Sequence, residues 1–203
     1  MDMNPGYLSL VLISVTMILL ASGWKDILLP GIPRAGILAF FVGWMIAALF
    51  SVELERAEIQ FTLPYLLLCA AAATRSLKAP LLRAHVWVCG LLLGAFDCLL
   101  RELGGWAALA PQGHAWLNEA AVIAVITLLL GRGALWQWIA LSVGLTVSEA
   151  LFFWFHQETA SVAGGAAFAD HWWLLLCLTR GLSVLLEAAG KLAAKYLRQG
   201  TKR

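Results

Sequence analysis

The chain has 203 residues, 62% of them hydrophobic and only 13% charged, with a formal net charge of +2. A soluble domain is nearer half apolar and a quarter charged, so this composition points to a bilayer as the solvent and argues against an ordinary soluble enzyme or a nucleic-acid binder. Several spans joined by short loops use up a chain of this length, and no separate soluble domain is expected.

A span needs about 20 mainly apolar residues. The first candidate, near 5–24, lies in "MDMNPGYLSLVLISVTMILLASGW". Asp2 is its only early side-chain charge, whereas a secretory signal starts with a basic segment, so a retained helix is expected. After "KDILLPGIP" come segments near 35–52 and 59–76, the second carrying Pro64. "ELERAE", residues 53–58, reads as a solvated helix end between them. Segments near 81–103, 115–131, 134–155 and 171–190 follow, separated by "GGWAALAPQGHA", "GRG" and the flexible "HQETASVAGGAAFAD". The fold class predicted is all-α: a seven-span bundle over residues 1–190 and a basic tail over 191–203. The four cysteines, Cys69, Cys89, Cys98 and Cys177, fall inside apolar runs and form no C-x-x-C pair, so they read as apolar fillers.

Charge sets the orientation. With seven spans, Lys25, Arg34, Arg75, Lys78, Arg83, Arg132, Lys191, Lys195, Arg198, Lys202 and Arg203 share one side. Arg56 and Arg101 lie on the other, and Arg180 falls inside a span. The positive-inside rule then predicts the N-terminus outside and the C-terminus in the cytoplasm.

Arg180 lies ~13 Å below the outer boundary if its span starts at His171, with Glu149 ~10 Å and Asp97 ~9 Å deep on spans six and four. Arg101 is one turn from Asp97 and can pair with it. Charges inside a bilayer cost at least about 2.5–3.5 kcal/mol each, which favours bringing them together. Asp97, Arg101, Glu149 and Arg180 are therefore the candidate ion-pair or ligand cluster, with Arg180 expected to face the acids. It serves either to lock helix packing or to line a polar cavity for a small ligand, ion or proton.

His114, His156, Glu158, Asp170 and His171 form a second set on the outer face. Histidine with carboxylate can bind a divalent metal, although the spacing matches no metal motif and interfacial polar residues are the plainer reading. "GLLLG" sets Gly90 and Gly94 at the spacing that lets another helix approach closely, with internal packing expected before dimerisation. Trp24, Trp106, Trp116, Trp172 and Trp173 read as interfacial belt residues. In the tail, Glu187 and Lys191 are spaced as an i, i+4 pair. Lys191, Lys195, Arg198, Lys202 and Arg203 would contact anionic lipid headgroups, with docking of a cytoplasmic partner as the alternative; a membrane-protein partner is a separate expectation.

No G-x-S-x-G, H-E-x-x-H or paired intramembrane acid motif occurs, so no enzyme and no cofactor is expected. A retinal protein would need lysine where Arg180 stands. A G-protein-coupled receptor would need D/E-R-Y and N-P-x-x-Y where "ATRSLK" and "LTRGLSVLLE" stand. The opening "MNPGYLSLVLISVTMILLASGWKDILL" resembles the YphA-like small integral membrane proteins of spore-forming Gram-positive bacteria. That resemblance implies a cell-membrane address and names no site residue. The expected function is a non-enzymatic envelope or sporulation-associated membrane component acting through partners. The alternatives are a transporter or binding module built on the charge cluster and, last, a metal-dependent intramembrane enzyme.

Overall fold

The computed structural model of the chain describes residues 4–54, 57–103, 115–156 and 162–200. Helix α1 (Tyr7–Leu19) runs through a π-helical turn (Leu20–Trp24) into the short α2 (Lys25–Leu28). The break falls at Gly23, whose φ of 97° suits a residue without Cβ. Then follow α3 (Arg34–Ala48), strands β1 (Ser51–Leu54) and β2 (Ala57–Gln60), α4 (Thr62–Thr74) and α5 (Pro80–Glu102), which starts with proline in its first turn. The chain continues with α6 (Ala115–Leu130), α7 (Ala134–Phe155), β3 (Val162–Ala163) and α8 (Ala166–Gly200).

Among the described residues, four helical segments are long and apolar enough to cross a membrane: Tyr7–Leu28, Pro80–Glu102, Ala134–Phe155 and Ala166–Lys195. Away from their ends, their outward faces are mainly apolar. In α1 only Ser9 is buried, while Leu10, Val15, Met17 and Ile18 are exposed, a pattern that needs lipid as solvent.

Two expectations fail in the second and third predicted segments. Their helices are shorter than 35–52 and 59–76, and "ELERAE" contributes to a β-hairpin instead of a helix end. Ser51 pairs with Gln60, Val52 with Ile59 and Glu53 with Glu58, and β3 adds to β2 in parallel. Alternating Val52, Leu54 and Ile59 with glutamates is a period-two pattern, which a hydropathy window averages away.

The most extensive helix pair is α5 with α7. They run parallel in register: Gly90 lies against Val143 and Ala140, and Gly94 against Gly144 and Val147. A Cβ on Gly94 would collide with the Gly144 carbonyl oxygen, so the "GLLLG" glycines serve internal packing. Helix α8 packs antiparallel to α7 and parallel to α1, which meets it at Thr16 and Cys177.

Trp172 and Trp173 are not belt residues. Both are buried in an aromatic core, with Trp44 stacked on Trp172 at 5.0 Å and Phe41 on Trp173 at 5.7 Å. Trp24 is half exposed, and Trp106 and the side chain of Trp116 lie outside the described residues. All four cysteines are free.

Candidate functional site

At one end of the bundle, α5, α6, α7 and α8 each bring polar residues to a common point. Arg101 is the hub. Its Nη1 donates to Glu149 Oε2 at 2.9 Å, while its Nε lies 3.3 Å from Asp97 Oδ2 and 3.7 Å from Glu119 Oε1. The one-turn spacing of Asp97 and Arg101 on α5 makes their contact local; those with Glu149 and Glu119 bring in α7 and α6. Asp97 is fully buried, accepts the Ser148 hydroxyl at 2.6 Å and meets His171 Nε2 at 3.2 Å. Glu149 Oε1 also accepts the amide of Gly164 at 3.2 Å, tying the network to the segment that follows β3. Gly164 has a φ of 76° and packs against Leu63, which explains glycine there.

Three carboxylates against one guanidinium leave an excess of two negative charges while His171 is neutral. Ser148, Asp97 and His171 are the residue types of a hydrolase triad, but in the wrong order. The carboxylate stands between hydroxyl and imidazole, so the histidine is not placed to take the serine proton.

Arg180 does not face these acids, contrary to the sequence expectation. It donates to Gln137 Oε1 at 2.9 Å, to Ser183 Oγ at 3.3 Å and to the carbonyls of Leu28 and Ile27 at 2.9 and 3.4 Å. The cation thus satisfies open carbonyls at the C-terminal end of α2, where a helix end favours positive charge. The error came from the helix start. Because α8 begins at Ala166, Arg180 sits ~21 Å along it, whereas His171 lies only ~7.5 Å in. Asp97 is ~7.5 Å from the end of α5 and Glu149 ~9 Å from the end of α7, so their level on α8 is that of His171.

Of the five outer metal candidates, the three described ones separate. His114 and Glu158 lie outside the described residues. Asp170 accepts the amides of Gly6 at 2.7 Å and Ser9 at 2.5 Å, capping the N-terminus of α1 from another helix. His156 lies 3.4 Å from Glu102 and stacks on Phe152. Among the described candidates only His171 joins the network, where Asp97, Glu119 and His171 each bring one ligand-type atom within 4.8 Å of the others.

In the tail, Lys191 and Lys195 are exposed on the continuing α8; the Arg198 side chain, Lys202 and Arg203 lie outside the described residues. Glu187 accepts the Ser183 hydroxyl at 3.4 Å in place of the expected Lys191 pair.

Glu119, Ser148 and Gln137 are the participants that sequence reasoning did not place. Glu119 stands near the start of the predicted 115–131 segment. Its position among apolar residues was the available signal.

A cleft of about 790 Å³ lies on another side of the bundle, lined by residues including Leu12, Phe40, Tyr65, Cys69 and Trp173, with Arg180 at its edge. None of the four residues Asp97, Arg101, Glu119 and Glu149 lines it. No protein-family model, curated protein or solved structure matches the chain.

Proposed function

We propose that this chain is a multi-pass cell-membrane protein of seven spans, N-terminus outside and C-terminus cytoplasmic, that acts without catalysis. Its role is that of an envelope or sporulation-associated component working through partners. The observation that carries this reading is the closed network around Arg101: the bundle's acids face a cation, a hydroxyl and a histidine from neighbouring helices and do not line the open cleft. Such an arrangement fixes the mutual positions of helices.

Alternation of helix directions supports the seven-span count, and so does the position of the basic residues. Lys25, Arg34, Arg75, Lys78, Arg83 and Arg132 flank the helix ends opposite the network. Helices α3 and α4, with 15 and 13 residues, are short for a hydrocarbon core of about 30 Å, and cross it with local thinning or with the help of Phe50 and Phe61 at the hairpin. The exposed Lys191 and Lys195 suit anionic headgroups on the cytoplasmic face.

Reporter fusions test the topology. A fluorescent protein should fold after residue 203 and fail between 104 and 114, where alkaline phosphatase should be active; the reverse pattern refutes the orientation.

The cleft favours a second reading, a binding or transport module for an apolar small molecule. Thermal stability of the purified chain against a panel of metabolites and lipids separates the two, because a ligand specific for the native state stabilises it. A saturable shift that is abolished by filling the cleft with Cys69→Trp supports the binding module. A flat profile supports the component that works through partners.

A further inference from the structure

The geometry points to a divalent transition-metal site built from Asp97, Glu119 and His171 inside the network, zinc being the ion that fits best. The three residues come from α5, α6 and α8, and one ligand-type atom of each lies within 4.8 Å of the other two. Metal–ligand bonds of about 2.0–2.2 Å set tetrahedral ligands roughly 3.3–3.6 Å apart, so side-chain adjustments of about 1 Å would gather them.

A second observation is independent of that spacing. Glu119 is 9% exposed, and its Oε1 is buried with no hydrogen-bond partner. Its ion-pair contact with Arg101 is long, 3.7 Å. A buried carboxylate oxygen without a donor is costly and is normally satisfied by something. Charge is compatible with this when all three carboxylates are ionised and His171 is neutral. The excess of two negative charges in the network is the charge that one divalent cation would cancel.

The neighbours are arranged as supports for metal ligands. Ser148 holds one oxygen of Asp97 and leaves Oδ1 directed at His171. Glu149 is engaged by Arg101 and the Gly164 amide and stands outside the ligand set. Coordination through His171 Nε2 needs that nitrogen unprotonated: a neutral ring moves its proton to Nδ1, and a charged ring releases one. Two carboxylates and one imidazole are a mixed oxygen and nitrogen set, which favours zinc or manganese over magnesium or calcium. The fourth position is left for water. The ion stitches α6 to α5 and α8.

The test uses the tag-free full-length chain in detergent, stripped with chelator and titrated with zinc, manganese, magnesium or calcium chloride. Calorimetry and thermal unfolding read the binding. Zinc should bind once per chain and raise the unfolding temperature, and magnesium should do neither. The isosteric Glu119→Gln should weaken zinc at least about tenfold while staying folded, and His171→Gln should do the same. Glu102→Gln, beside His156 and outside the triad, should leave affinity unchanged. Absence of zinc binding, equal zinc affinity in wild type and Glu119→Gln, or magnesium binding as tightly as zinc would each overturn the assignment.

Discussion

Replacing Arg101 with methionine should be the most damaging single substitution at the polar end. Methionine keeps much of the side-chain volume and removes the charge, so the loss is electrostatic. Three carboxylates on three helices would be left together, with Asp97 fully buried and Glu119 and Glu149 nearly so. Breaking a buried ion pair by removing one partner costs about 3–5 kcal/mol. For a chain of this size each kcal/mol moves the unfolding midpoint by about 2–4 °C, so a drop of about 6–20 °C is expected. Arg180→Met loses hydrogen bonds to neutral acceptors and leaves no group of carboxylates facing one another, so it should fall less far. The assay is thermal unfolding of both variants in the same detergent, followed by fluorescence-detected size exclusion. Adding Glu149→Gln to Arg101→Met should recover part of the loss. Wild-type stability in Arg101→Met, or a larger loss in Arg180→Met, would refute the assignment of Arg101 as the hub.

Gly94→Ala should destabilise by about 1–3 kcal/mol, because the new methyl meets the Gly144 backbone, whereas Gly190→Ala, with open space around it, should be neutral or stabilising; unfolding midpoints check both. Asp170→Ala should cost about 0.5–2 kcal/mol through loss of the α1 cap, seen as faster amide exchange at residues 6–10, and Asp170→Asn should retain most of the protection.

Hydropathy was enough to find the long helices, and α7 occupies the predicted 134–155. Length and apolar composition are sums over a window, and a sum tolerates local irregularity. It failed where structure depended on a two-residue period, at Glu53 and Glu58, where glutamates alternate with Val52, Leu54 and Ile59 in the hairpin. The polar cluster was half legible. Asp97, Arg101 and Glu149 could be placed by counting residues from helix ends. The same count misplaced Arg180, because α8 starts five residues before His171 and each residue adds ~1.5 Å. Glu119 could not be placed in the cluster, because its rotation about α6 is not encoded in its depth. The partners of Asp170 and two of those of Arg180 were out of reach, since they are backbone groups, which carry no mark in a sequence.

The tethers of α1 have a consequence for how the chain is made. Outside its own continuation, its main partner is α8, which holds it at Asp170 and Cys177. More than a hundred residues separate the two helices, and at roughly 5–20 residues per second the ribosome takes on the order of ten seconds to deliver the later one. During that interval the earliest helix must wait in the bilayer without its mate. Its apolar circumference is suited to that wait, and its docking is a closing step of assembly.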